Sequence, residues 1–322
     1  YFPISFSEVL AVCAMVGVVL SIIAFVKRIK QKNFIKAATR ILDVAILVIS
    51  FTAMLSATTQ LQYNRKSPPI PIYEEKVDKT EFLPIINHFL DDYNDAASKL
   101  TYKPSGEVES PYSIMDINML LEKEFKRLDD PKFNNYFSSF TTYCKPLISS
   151  EIFSQLQVTG ITIGAFGEAN VNTAAPACGL PFTMAHEIAH TKGVMREEDA
   201  NLVALYLTLT SDNYFLRYSG YFYSFSRLMG LASFTGNKAD YGEVYNRISP
   251  QILNEYRYNN KYWDEHDMLK EFQDWINNWY LKSSGEEQGT GSYEDTPVKV
   301  EDEVIVTFST YQKIYFAIYY NL

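Results

Sequence analysis

The sequence predicts a two-helix transmembrane hairpin at the N-terminus, followed by a mainly α (α+β) extracytoplasmic domain with a small sheet. Two uncharged, apolar runs open the chain, at residues 9–26 and 44–61, and each is close to the length that crosses a bilayer. After residue 79, apolar residues recur mostly at helical spacing. One segment, residues 155–166, instead alternates apolar with small or polar residues, which is typical of a strand.

Residues 1–63 form the predicted membrane anchor. The loop at residues 27–40 joins the two apolar runs and carries six cations without an acid. Because such loops stay in the cytoplasm, the N-terminus and everything after about residue 64 are expected outside it. A signal peptide is the alternative for the first run, but no basic region precedes it and no small-residue cleavage pattern follows it. The lipid bilayer is therefore an expected partner.

The charge of the chain argues against nucleic acid as a partner. The formal net charge is −9, and outside the anchor 23 basic residues stand against 36 acidic residues. A surface of this sign repels nucleic acid and anionic lipid headgroups. The sequence does not indicate an oligomeric state.

Two cysteines, Cys144 and Cys178, lie outside the anchor. Outside the cytoplasm they can form a disulfide, and two reduced, buried thiols are an equal alternative. Their spacing is not that of a cysteine-based metal site.

Residues 64–78 contain a Pro-rich segment whose fixed backbone angles predict an extended spacer that holds the next domain off the membrane. The domain itself is expected to occupy residues 79–322. Its first helix is predicted over residues 79–100, and a second is predicted to begin at Ser110-Pro111 because Pro is tolerated at the first helical position.

The strand predicted at residues 155–166 has two interpretations. An extended substrate can pair with an exposed sheet edge, or the strand can belong to an ordinary core hairpin. The polar residues that follow, Glu168, Asn170 and Asn172, either line a cleft or are solvated turn residues.

The most informative motif is His186-Glu187-Ile188-Ala189-His190, which matches H-E-x-x-H. On a helix the two histidines project from one face, one turn apart, and can reach a single zinc ion. Glu187 lies about 100° round the helix, where it can act as a general base on a metal-activated water. Pro181 and Gly193 are well placed to start and end this helix. The alternative is a chance match on an amphipathic helix.

A third metal ligand is expected in the acidic run Glu197-Glu198-Asp199, because the chain must fold back only six residues after His190. Glu197 is favoured, since Asn201 shares its helix face and can orient a metal ligand by a hydrogen bond. The other interpretation of this run is a charged first turn stabilised by the helix dipole.

Tyrosines are concentrated further along, between Tyr214 and Tyr223. A zinc peptidase needs a donor for the oxyanion that forms during attack, and Tyr218 and Arg217 are the candidates in this run. Aromatic packing is the competing explanation for this run.

H-E-x-x-H followed by E-x-x-A-N resembles the gluzincin pattern of zinc metallopeptidases. The resemblance implies a zincin-like fold, zinc ligands at His186, His190 and Glu197, support from Asn201, and Glu187 as the base. The span pair, the Pro-rich spacer and the segments GEANVN, LPFTMAHEIAH, REEDAN, RYSGY and NWYLKSSGEEQGTGSY also resemble a bacterial family of membrane-anchored proteins. That family is catalogued as a domain of unknown function and is regarded as zinc peptidase-like.

These features together predict a membrane-anchored, zinc-dependent metalloendopeptidase that acts on a polypeptide substrate outside the cytoplasm. Three protein ligands with one open position match a catalytic zinc site rather than a structural one. Two alternatives remain open: a non-catalytic cell-surface or envelope interaction protein, and a zinc hydrolase with a non-peptide substrate.

Overall fold

The structure is a computed structural model that describes residues 3–137, 139–164, 166–234, 238–283, 298–300, 303–305 and 308–322. Its helices are α1 (Phe6–Lys30), α2 (Phe34–Tyr63), α3 (Lys79–Ser98), α4 (Ile114–Lys126), α5 (Ser150–Gln155), α6 (Leu180–Thr191), α7 (Glu197–Leu209), α8 (Tyr214–Gly230), α9 (Lys238–Asn246), α10 (Pro250–Glu265), α11 (Lys270–Ser283) and α12 (Thr310–Tyr319). Its strands are β1 (Lys145–Pro146), β2 (Gly160–Ile163), β3 (Glu168–Val171), β4 (Val298–Val300) and β5 (Glu303–Ile305). The predicted organisation, two apolar helices before a mostly helical domain with a small sheet, is confirmed.

Helices α1 and α2 pack side by side and are both long and apolar enough to cross a membrane. None of the residues in their most apolar windows is buried inside the protein (0%), as expected of helices that face lipid. The predicted basic loop at residues 27–40 is mostly helical. Only residues 31–33 separate the helices, because the Asn33 side chain accepts from Lys36 N and starts α2 there.

The Pro-rich segment after α2, predicted as a spacer, packs on the domain. Ile70 is 5% exposed, and Tyr73 N donates to Lys313 O at 3.1 Å. The Tyr73 ring also stacks on Tyr320, with ring centroids 4.8 Å apart. The prolines keep this segment extended, and the apolar side chains between them are what the domain buries. The domain therefore begins directly at the end of α2.

The core of the domain is built around α6, the helix that carries the H-E-x-x-H motif. It packs against α7, α8 and the strands β2 and β3. Helix α12 packs on α7 and α8, and its buried residues include Ile314, Tyr315 and Phe316. The second predicted helix, α4, begins at Ile114 rather than at Ser110-Pro111, because Ser113 and Asp116 form a capping box.

The main sheet has the strand order β1-β3-β2, with β1 parallel and β2 antiparallel to β3. The predicted strand is present but shorter than predicted: among the described residues of the 155–166 segment, Gly160–Ile163 form β2, and Gln155 ends the helix α5 (Ser150–Gln155). The turn predicted after it was wrong. The segment predicted as a turn, Glu168–Val171, is the fully buried central strand.

The N-terminus of α1 is fixed to this sheet by two carboxylates. Glu168 accepts from Ser7 N at 2.7 Å, from Phe6 N at 3.0 Å and from Lys145 Nζ at 2.5 Å. Glu8, in the first turn of α1, accepts in turn from Ser149 N of the domain at 2.9 Å. Burial alone would raise the pKa of Glu168, but the Lys145 and Ser7 donors lower it to about 2. The start of the first apolar helix and the domain therefore lie on the same side of any membrane that the hairpin crosses.

Cys144 and Cys178 are both free and fully buried. Of the two predicted states, the disulfide was therefore wrong and the reduced thiols are present. Burial raises the pKa of both thiols well above the usual range, so they are unreactive core residues.

The sequence run NWYLKSSGEEQGTGSY begins in α11, and its residues 284–293 lie outside the described residues. Ala165, inside the predicted strand, lies outside them as well.

Candidate metal centre

Helix α6 positions both histidines of the motif. Pro181 lies in its first turn, and Gly193, with φ of +89°, ends it in the left-handed conformation that glycine tolerates. His186 and His190 lie one turn apart on the face toward α7, with Nε2 atoms 2.9 Å from each other.

Glu197, the first residue of α7, completes a cluster with the two histidines. Its Oε2 lies 3.1 Å from His186 Nε2, and its Oε1 lies 3.6 Å from His190 Nε2. Among the described residues this is the one group of three or more potential ligands whose donor atoms lie close enough to hold one ion. The short turn after α6 brings Glu197 back onto the histidine face.

The other ring nitrogen of each histidine is bound to a protein acceptor. His186 Nδ1 lies 2.9 Å from Asn201 Oδ1, and His190 Nδ1 lies 2.7 Å from Val194 O. A carbonyl oxygen can only accept, so Nδ1 of His190 must carry its proton. Both Nε2 atoms are thereby turned toward the Glu197 carboxylate. Asn201 therefore supports His186 rather than Glu197, although its position was the reason for favouring Glu197 as the third ligand.

The donor set fits a tetrahedral zinc ion. Bonds of about 2.1 Å at a tetrahedral angle place ligand atoms roughly 3.4 Å apart. The distances of 2.9, 3.1 and 3.6 Å within the cluster lie close to that value. With Nδ1 bound to the Val194 carbonyl, Nε2 of His190 is the ring nitrogen left to present a lone pair to a metal ion.

The pKa shifts within the cluster also favour a positive charge beside the Glu197 carboxylate. Burial lowers the pKa of His190, but the Glu197 carboxylate outweighs it and raises that pKa to about 9. Burial would raise the pKa of Glu197, and the two imidazoles instead hold it well below its usual range. The carboxylate is therefore ionised at neutral pH, and a positive charge is stabilised beside it.

Glu187 lies beside the cluster rather than in it. It is 5% exposed, and Thr162 Oγ1 of β2 donates to its Oε2 at 2.7 Å. Burial raises the pKa of Glu187, against the opposing effects of His186 and His190. A carboxyl group with a raised pKa next to a metal site has the properties of a general base.

A cleft of about 400 Å³ gives access to His186, Glu187 and Glu197. Residues 157–160, which lead into β2, form part of its lining, and Gln273 and Tyr311 contribute from α11 and α12. Among the described strands, β2 pairs with β3 alone. The other edge of β2 pairs with no described strand.

A family model described as "Protein of unknown function (DUF3810)" matches residues 1–298. The chain belongs to this family. No curated protein and no solved structure matches the chain significantly. The match covers both the apolar hairpin and the cluster, so the anchor and the candidate metal centre are parts of one DUF3810 unit.

The two acids that competed with Glu197 lie outside the cluster in this DUF3810 protein. Asp199 accepts from Arg196 Nε at 2.8 Å. Glu198 is likewise not part of the group of three donors. Glu168, Asn170 and Asn172 do not line the cleft either. Glu168 holds the start of α1, and Asn172 accepts from Ala174 N at 3.0 Å.

Neither predicted oxyanion donor lines the cleft. Tyr218 is fully buried, and its hydroxyl donates to Glu255 Oε2 at 3.3 Å. Arg217 is half-buried near Tyr221 and is not among the residues that line the cleft. The cleft tyrosine on α8 is instead Tyr223, stacked on Phe182 with ring centroids 4.0 Å apart. It belongs to the same tyrosine-rich run, but nothing in the sequence distinguishes it from its neighbours.

Proposed function

We propose that this protein is a membrane-anchored, zinc-dependent peptidase with a zincin-like domain. The observation that carries the proposal is the convergence of three metal-ligand atoms from His186, His190 and Glu197, with the buried carboxyl of Glu187 beside them. Zinc, when bound, supplies the Lewis acidity that activates a water molecule and polarises a scissile carbonyl.

Glu187 is the general base of the proposed reaction. It takes a proton from the attacking water and returns it to the amine that leaves. Thr162 fixes one carboxylate oxygen, Oε2, and so holds the carboxyl group in one orientation against β2. Because burial raises its pKa, Glu187 is a stronger base than an exposed glutamate, which suits it to this transfer.

Tyr223 is the proposed donor to the developing oxyanion. Tyr223 lines the cleft, and its hydroxyl lies 3.2 Å from Thr183 Oγ1. Burial raises the pKa of Tyr223 to about 12, so the hydroxyl keeps its proton at neutral pH and can donate it in a hydrogen bond. This role replaces the one predicted for Tyr218 and Arg217.

The cleft favours a polypeptide as the substrate. The edge of β2 that pairs with no described strand offers backbone groups to which an extended chain can bind as an added strand. Phe182 and the glutamines at positions 157 and 273 supply apolar and polar contacts for its side chains. A peptide bound along β2 would pass directly over Glu187.

We place the domain outside the cytoplasm. The six cations between residues 27 and 40 lie at the end of the hairpin opposite the domain. The contacts of Glu168 and Glu8 keep the start of α1 on the domain side. The substrate is then a surface or secreted polypeptide.

Metal analysis and one conservative variant test this function. The full-length protein purified in detergent is expected to bind one zinc ion and to cleave a quenched fluorescent peptide library. Glu187→Gln should keep the zinc and lose the cleavage, whereas His186→Ala should lose both. Purified protein that takes up no zinc would refute the proposal and favour a non-catalytic envelope protein. Zinc binding with hydrolysis of esters but not peptides would favour the non-peptide hydrolase.

A further inference from the structure

The turn between α6 and α7 sets the distance between two of the proposed zinc ligands. Gly193 N donates to His190 O at 3.0 Å and Val194 N donates to Ala189 O at 3.2 Å, which is the Schellman pattern. Val194 O in turn accepts from His190 Nδ1 at 2.7 Å. The orientation of the His190 ring therefore depends on the conformation of this turn.

Arg65, two residues beyond the end of α2, binds the outside of the same turn. Its Nη1 donates to Lys192 O and to Gly193 O, both at 3.3 Å. Its Nη2 donates to Tyr136 O, and the guanidinium lies over the Tyr136 ring, 3.9 Å from the centroid. A planar guanidinium with several donors satisfies carbonyls that the Schellman motif leaves open, and its charge suits a helix C-terminus.

Gly193 leaves the space that Arg65 occupies. A Cβ added at position 193 would lie 2.6 Å from Arg65 Nη1, so a side chain there would displace the guanidinium. The glycine thus serves both the positive φ of the turn and the approach of Arg65.

The far end of the turn is held from the same short segment. Ser67 Oγ accepts from Arg196 Nη2 at 2.5 Å. Arg196 is the N-cap residue of α7 and directly precedes Glu197. Lys66 O accepts from the Tyr136 hydroxyl at 2.7 Å, which holds the segment against the same ring that stacks on Arg65.

We propose that Arg65, assisted by Ser67, is a positioning residue of the metal centre, which couples the exit of the second membrane helix to His190 and Glu197. The proposal rests on the proposed zinc site and adds that the site is complete only when the anchor is in place. Residues 65–67 hold the turn that carries His190 at one end and Glu197 at the other. The membrane hairpin is thus part of the architecture of the site.

A matched control separates this role from ordinary helix capping. Arg127 caps the other end of α7, donating through Nη1 to Thr210 O at 3.1 Å and through Nη2 to Thr210 Oγ1 at 3.0 Å. Arg65→Ala and Arg127→Ala therefore each remove an arginine from a helix C-terminus. Only Arg65 contacts the turn next to a proposed metal ligand.

The test measures the zinc dissociation constant of full-length protein in detergent by competition with a chelator, together with the melting temperature of the metal-free protein. Arg65→Ala should weaken zinc binding about 10-fold or more, the size typical of groups that support a metal ligand. Arg65→Ala and Arg127→Ala should lower the melting temperature by similar amounts. Arg127→Ala should leave zinc binding unchanged. Arg65→Lys, which keeps the charge but loses the fork, should lie between wild type and Arg65→Ala, and it replaces the alanine variant if that does not fold. Equal zinc affinity in wild type, Arg65→Ala and Arg127→Ala would overturn the proposal.

Hydrogen exchange tests the coupling between Arg65 and the turn whether or not the protein binds zinc. If the wild-type protein binds no zinc, the proposed function fails. The coupling itself is then tested by exchange of the Gly193 and Val194 amides in metal-free protein. Faster exchange in Arg65→Ala than in Arg127→Ala supports the coupling, and equal exchange excludes it.

Discussion

Gly160 of β2 lies directly against Glu187 of α6. A Cβ added at position 160 would lie 2.7 Å from both Cγ and Oε1 of Glu187, and equally close to Thr183 Cγ2. No real side chain tolerates contacts of that length, so either β2 or the carboxylate would have to move. The missing side chain at position 160 therefore allows the edge strand to approach the proposed base.

Gly160→Ala is expected to abolish most peptide hydrolysis while zinc stays bound, because the substitution forces β2 and Glu187 apart and leaves the three ligands in place. Zinc content and peptide cleavage measured on one preparation check this. Gly167→Ala is the control, since no atom lies within 4 Å of a Cβ there. Its positive φ of +59° makes it costly by about 1 kcal/mol in stability, but hydrolysis should be unchanged. Full activity in Gly160→Ala would show that the position of Glu187 does not matter for the reaction.

Tyr223→Phe is expected to lower kcat about 100-fold, the loss typical of removing one oxyanion donor, with little change in zinc affinity. Tyr218→Phe is the matched control, because it removes a hydroxyl from the same helix that bonds Glu255 and does not line the cleft. Steady-state kinetics on a single peptide distinguish the two variants. The assignment would have to be reversed if Tyr218→Phe had the larger effect on kcat.

The local geometry of the centre was predictable because it follows from helix periodicity and chain length. Residues four apart on a helix share a face whatever surrounds the helix, so the Nε2 atoms of His186 and His190 converge in the structure as well. The turn to Glu197 is too short to carry that acid far from the histidines. The sequence could only favour Glu197 over its neighbours Glu198 and Asp199, because the direction in which each side chain points depends on the residue at which α7 begins.

Long-range contacts account for what the sequence did not predict. Glu168 looks like a turn residue, but it is buried in β3, where distant groups such as Ser7 and Lys145 satisfy its carboxylate. The choice of Tyr223 over Tyr218 depends on the rotation of α8 about its axis. Aromatic residues occupy several faces of that helix, so periodicity gave no guide to this rotation.

Glu197→Gln is expected to weaken zinc binding by more than the roughly 10–100-fold typical of supporting groups, because it removes a charged ligand. Glu198→Gln and Asp199→Asn are the controls, since both lie outside the ligand group and Asp199 is bound to Arg196. Competition titration with a chelator ranks the three variants. A larger loss in Glu198→Gln or Asp199→Asn would move the third ligand to that residue.

Thr162→Val should shift the pH dependence of hydrolysis. The Thr162 hydroxyl donates to Glu187 and so lowers the pKa of that carboxyl, partly offsetting the increase caused by burial. Removing this hydroxyl raises the pKa of Glu187 further, and Glu187 must be ionised to act as the base. The acidic limb of the kcat/KM profile is therefore expected to move to higher pH, with the alkaline limb unchanged. Thr191→Val is a suitable control, because that hydroxyl donates to Ile188 O of its own helix, at 2.7 Å. A shift to lower pH in Thr162→Val would contradict the assigned base.

Glu255→Gln tests a buried acid that the proposed reaction does not use. Glu255 is 0% exposed and accepts from Val108 N at 2.6 Å. Burial raises its pKa from 4.5 to about 7. Between these two pH values the folded protein holds a proton that the unfolded chain has released, so stability falls as the pH rises through this window and is level above it. Replacing the carboxyl of Glu255 by a neutral amide removes this loss of stability.

Glu255→Gln is therefore expected to raise the free energy of unfolding by up to about 3 kcal/mol at about pH 8, with almost no effect at about pH 4. Urea unfolding of the metal-free protein at both pH values measures the difference. Glu265→Gln on the same helix is the control, because its carboxyl is 61% exposed and its substitution should change neither value. Equal destabilisation by Glu255→Gln at both pH values would mean that the carboxyl is needed for packing and is not held in its protonated form by burial.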